Sequence, residues 1–114
     1  MSIYLKLPIK TVSEANSRQH WRVRNERKQA QQKEFMVGWR NLKVKVKLPC
    51  EVTFTRYASR LLDDDNLRSA FKGIRDALAK EIGIDDGSSL VKFDYKQEKL
   101  PKREYFISVE IREI

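Results

Sequence analysis

Between residues 66 and 82, Leu67, Ala70, Phe71, Ile74, Ala77, Leu78 and Ile82 recur at three- and four-residue spacing. On an α-helix that spacing gathers them into one apolar stripe, which must be covered by a second layer of structure. The flanking sequence supplies strands for that layer. Ile3, Leu5, Leu7 and Ile9 alternate at period two, as do Val44, Val46 and Leu48, then Val52 and Phe54. Two further alternating runs follow the helix: Val91, Phe93, Tyr95, and Tyr105, Ile107, Val109, Ile111. Pro49 cannot donate a ladder hydrogen bond, so 44–54 is expected to be an edge strand or a strand broken there. Residues 25–39, in which the good helix formers Gln, Lys, Glu and Ala occur, read as a further helix whose end Gly38 weakens. The expected architecture is a single small α/β domain over residues 1–114. Its element order is β-α-β-α-β-β, with two main helices packed on one face of a mixed sheet.

A chain of 114 residues with no repeat or Gly/Pro/Ser-rich linker fits one domain with one modest core. Cys50 is the single cysteine and His20 the single histidine, so an internal disulfide, a thiolate zinc site and a His-rich metal site are all excluded. The N-terminal residues lack the pattern of a signal peptide, and no apolar run approaches the roughly 20 residues of a membrane span. The expected setting is reducing, soluble and cytoplasmic.

Charge is distributed unevenly. The chain carries 24 basic and 16 acidic side chains, net +8. Residues 1–60 alone hold 14 and 4, net +10, and residues 61–114 are net −2. Such a basic half is suited to a polyanion, with nucleic acid ahead of a membrane surface.

Against that background, the acids stand out. Asp63, Asp64 and Asp65 open the striped helix, and Asp85 and Asp86 follow it. Separately, each cluster has a structural explanation, a helix cap for the first and an Asp-Gly turn for the second. A cap needs one aspartate, however, and adjacent carboxylates repel unless a cation lies between them. If the clusters meet, an all-oxygen ligand set suits Mg²⁺ or Mn²⁺. An EF-hand is excluded, because counting from Asp63 puts Arg68 at position six and Ile74 at position twelve. The helix is about 25 Å long at 1.5 Å per residue, so convergence depends on how the sheet is ordered. Lys72, seven residues after Asp65, falls on the same stripe. It is placed either to meet a phosphate beside the acids or to pair with Asp76 at i+4.

The sequences "DDDN", "RDAL" and "IDDG" resemble the motifs of RusA-type Holliday-junction resolvases, small bacterial and phage endodeoxyribonucleases. The matching motifs cover roughly a third of the chain, and "NSRQHWR" is loosely similar. The resemblance implies a Mg²⁺-dependent, homodimeric crossover-junction endonuclease of DNA recombination and repair. It also implies that Asp63, Asp65 and Asp86 are the essential metal-binding carboxylates, with Asp64 and Asp85 as alternates. The family lysine, four residues after the second aspartate, is Ser69 here. Counting back from Asp-Ala-Leu reaches Lys72 instead, with Arg68 as the other cation available. A dimer suits the substrate, since a four-way junction is approximately two-fold symmetric and one acidic site makes one nick at a time.

The segment "RQHWRVRNERK" is the expected DNA-binding element, with Arg18, Arg22, Arg24, Arg27 and Lys28 as phosphate contacts. Trp21 is open to either base stacking or core packing. Lys43, Lys45 and Lys47 form a second basic stripe, either a phosphate track or the guarding of a sheet edge. The competing reading is a non-catalytic DNA-binding module whose acids only cap a helix and shape a turn.

Overall fold

The computed structural model describes residues 2–11, 21–84, 88–101 and 104–114. Strand β2 (Cys50–Ala58) lies inside a four-stranded mixed sheet. On one side it pairs antiparallel with β4 (Phe106–Glu113), which in turn pairs antiparallel with β1 (Ser2–Leu7) at the edge. On its other side β2 runs parallel to β3 (Val91–Lys99), the second edge strand. A parallel pair needs a crossover, and the striped segment provides it. This is the α/β order expected from the periodicities.

Every second side chain of β2, from Cys50 through Val52, Phe54 and Arg56 to Ala58, is buried under the helices. Phe54 stacks on Phe71 at 5.2 Å and on Phe93 at 5.9 Å between ring centroids. Phe35 and Trp39 of helix α1 (Trp21–Leu42) complete the same core with Ile107, Val109 and Ile111 of β4.

Three departures from the sequence expectation have local causes. Helix α1 runs through Gly38 to Leu42 instead of fading there. A Cβ at Gly38 would stand 2.6 Å from Leu7 Cδ2, so the missing side chain lets α1 approach β1. The striped helix is divided into α2 (Asp64–Ala70) and α3 (Lys72–Ile82). Phe71, fully buried between them, donates its N–H to Arg68 C=O at 3.2 Å, three residues back, which tightens the turn before the helix resumes. Gly83, at φ +83°, closes α3 in the left-handed conformation that glycine adopts at no cost. Finally, residues 43–47 carry no ladder, so β2 begins only after Pro49 and is not an edge strand. The alternation there reflects burial: Val44 and Val46 pack on the core while Lys43, Lys45 and Lys47 face out. Among the described residues, no helix is long and apolar enough to cross a membrane.

Candidate functional site

The acidic site begins where β2 ends. The chain leaves the sheet at Ala58, crosses residues 59–62 and enters α2 at Asp63. Asp63 is the N-cap, its backbone extended (φ −70°, ψ 169°) and its Oδ1 accepting the Asn66 N–H at 2.8 Å. Asp64 and Asp65 occupy the first turn, where carboxylates interact favourably with the helix dipole. All three are exposed. Successive helical positions diverge by about 100°, so neighbouring carboxylates here do not converge by themselves. Consistent with this, no three His, Cys, Asp or Glu side chains among the described residues gather closely enough to hold a metal ion. Carboxylate oxygens suit Mg²⁺ or Mn²⁺ in kind, but three of them are not brought together among the described residues.

Asp85 and Asp86 lie outside the described residues. Their described neighbours belong to the far end of the crossover. The Ile84 N–H bonds to Ala79 C=O, and Ser88 Oγ accepts from Leu90 N–H, whose own carbonyl accepts from Cys50 N–H. The loop before Asp63 instead meets β3 at Gln97, six residues beyond Val91. At ~3.3 Å per strand residue, about 20 Å of β3 separates the two ends.

Two inward-facing polar side chains hold the loop that carries the acids. Arg56, only 8% exposed, donates Nε to Thr11 Oγ1 at 3.1 Å and Nη1 to Arg60 C=O at 2.6 Å. Burial lowers its pKa, yet a guanidinium remains charged at neutral pH. Gln97, its register partner on β3, accepts the Leu62 N–H at 2.9 Å and donates its amide to Leu62 C=O. Neither residue was singled out from the sequence. The signal was present: both interrupt an alternating apolar face, Arg56 after Val52 and Phe54, and Gln97 after Phe93 and Tyr95.

The cations fall into distinct environments. Lys72 is exposed at the start of α3, and Phe71 separates that helix from α2, which carries Asp65. Its i+4 neighbour Asp76 pairs instead with Lys28 of α1 at 3.6 Å, which draws that candidate phosphate contact into an interhelical ion pair. Arg68 lies 5.8 Å over the Tyr95 ring. Arg75 donates to the Tyr95 hydroxyl at 3.1 Å and stands 4.1 Å over Phe93. Arg22 is exposed and Arg27 half-buried on α1. Arg24 and Trp21 belong to α1 by their backbone, and Arg18 and His20 lie outside the described residues.

At the same end of the sheet, on the face the helices leave open, is a cluster the sequence reading missed. Phe106 stacks on Tyr57 at 4.3 Å, and Lys6 Nζ stands 4.1 Å over the Phe106 ring. Lys6, Pro8, Glu104, Tyr105 and Phe106 line an open groove of about 520 Å³. Lys6 reads in sequence only as an outward strand residue, so nothing marked it.

No protein-family model matches the chain. A curated protein of Xylella fastidiosa (strain Temecula1 / ATCC 700964) is 35% identical over 92 residues and is described as an uncharacterized protein. The match covers 75% of this chain and 60% of that relative, so the chain spans less than two thirds of the relative's length.

Proposed function

We propose that the protein is a metal-dependent endodeoxyribonuclease acting on Holliday junctions or related branched DNA. The observation that carries this reading is the run Asp63–Asp65, mounted on a braced loop at one end of the sheet in a chain whose first 60 residues are net +10. The cap uses one carboxylate oxygen of Asp63, and beyond the helix dipole Asp64 and Asp65 have no hydrogen-bonded structural task among the described residues.

Asp63, Asp65 and Asp86 are the ligands this reading assigns, with Asp64 and Asp85 as alternates. A bound Mg²⁺ or Mn²⁺ supplies charge neutralisation on the phosphoryl oxygens and a more acidic water. Lys72, or Arg68 in its place, offsets the charge that builds on the phosphate. Arg18, Arg22, Arg24 and Arg27 gather the backbone, for which a planar guanidinium is well matched; Lys28 contributes when released from Asp76. A homodimer fits both the two-fold symmetry of a junction and the separation of the crossover ends within one chain. The reading puts the protein with its DNA in the cytoplasm of a bacterium or a phage-infected host.

The second reading, a non-catalytic DNA-binding module, is favoured by the Asp63 cap itself, which explains one acid without a metal. Asp65→Asn separates the two. The nuclease loses cleavage while its junction affinity stays or rises, because a negative charge near the DNA is removed. Wild-type cleavage by Asp65→Asn would refute the metal site. Salt-sensitive junction binding with no cleavage by the wild type under any metal would establish the module.

A further inference from the structure

The loop that delivers the acids has little backbone support of its own. Among the described residues, backbone hydrogen bonds outside the regular elements reach Ala58, whose carbonyl accepts from Leu100, and Asp63, whose carbonyl accepts from Leu67; residues 59–62 receive none. What holds them is side chains: Arg56 on Arg60, and Gln97 on both backbone groups of Leu62. Leu62 is the residue immediately before the cap. The same guanidinium reaches in the other direction to the buried hydroxyl of Thr11, on the chain that leaves β1. Gln31 of α1 anchors that strand exit by donating to Lys10 C=O at 2.8 Å.

We infer that Arg56 and Gln97 are positioning residues of the acidic site, fixing residues 60–62 so that Asp63 and Asp65 hold one arrangement, and that Arg56 also ties this loop to the chain leaving β1 at Thr11. The inference rests on the nuclease reading and adds to it the residues that set the geometry. Its chemistry is specific. Arg56 has two neutral acceptors in different directions, a task for a rigid guanidinium fork that a single ammonium cannot reproduce. A side chain serving stability alone at this point of β2 would be apolar, as Val52 and Phe54 are, because burying a cation costs desolvation. Gln97 likewise matches the backbone donor and the backbone acceptor of one residue, Leu62, which an apolar side chain leaves unpaired.

The test uses the full chain and two variants, Gln97→Leu and Arg56→Lys. Three quantities are read: amide hydrogen exchange across residues 60–66, Mn²⁺ binding by electron paramagnetic resonance, and kcat and KM on a four-way junction. Gln97 sits half-buried on an edge strand, so its variant keeps the core even if Arg56→Lys does not fold. The expected result is exchange faster by about tenfold at Leu62 and Asn66 with the β2 and β4 amides unchanged. Mn²⁺ affinity and kcat should fall about 10- to 100-fold, the usual cost of losing groups that orient metal ligands, with KM for DNA unchanged. Gln97→Glu, which still accepts from the Leu62 N–H, should fall between wild type and Gln97→Leu. Loosened exchange with wild-type Mn²⁺ affinity and kcat would overturn the inference while leaving the nuclease standing. Unchanged exchange in Gln97→Leu would overturn the clamp itself. A wild type that neither binds Mn²⁺ nor cuts DNA would refute the nuclease reading, and the inference with it.

Discussion

The two ends of β2 are built on different principles. At the Cys50 end, Cys50, Val52 and Phe54 are completely buried among Phe71, Ile74, Leu78 and the β4 aliphatics. Many weak, non-directional contacts share the work there, so position is set by volume. At the other end Arg56 faces the same layer but is held by two directional hydrogen bonds to neutral oxygens, and its neighbour Gln97 by two more. The first end makes the fold stable. The second fixes where a loop stands, and a single atom can undo it. A domain of this size can thus keep a tolerant core and a demanding site within one strand.

Substitutions can break this contrast in order of size. Phe54→Ala strikes the apolar end and should destabilise the whole domain by about 3–5 kcal/mol in denaturant unfolding. A loss below ~1 kcal/mol would mean the aromatic stack around Phe54 is not a shared core. At the polar end, Asp63→Ala should cost about 1 kcal/mol, the usual worth of an N-cap, read in the same experiment. Asp63→Asn sharpens the point, because Asn caps as well as Asp. It should leave stability within ~0.5 kcal/mol of wild type and still abolish cleavage, separating the cap from the charge. If Asp63→Asn cuts normally, the carboxylate serves only the helix. A small effect, on stability alone, belongs to the half-buried pair between α1 and α3. Asp76→Asn should change stability by less than about 1 kcal/mol, with the effect fading at high salt. A larger loss would give Lys28 a structural rank that conflicts with its use on DNA.

How much of this was legible in the sequence follows the same division. Residues at periods of two and 3.6 report burial, so the stripe from Leu67 to Ile82 and the alternation in β2, β3 and β4 read correctly. Where burial and hydrogen bonding part company, periodicity misleads. Val44 and Val46 alternate and pack, yet residues 43–47 carry no ladder. Gly38 reads as a helix end, but its role is steric, against a Leu7 that is remote in sequence. Arg56 and Gln97 were visible as polar interruptions of apolar faces. Their long-range partners Thr11 and Leu62 were not, because bonds between residues 45 and 35 positions apart leave no local pattern. The acids were the easiest residues to pick out, and the cap on Asp63 follows from their position. Whether they meet a second cluster depends on the parallel pairing of β2 with β3, which no spacing in the sequence encodes.

The central claim is that these acids serve hydrolysis. The most direct measurement is cleavage of a labelled four-way junction beside a matched linear duplex, with Mg²⁺, Mn²⁺ or EDTA. Paired, symmetric nicks in the junction alone, present with either metal and absent with EDTA, are the predicted result. Salt-sensitive binding of the junction without a cut under any metal would contradict it.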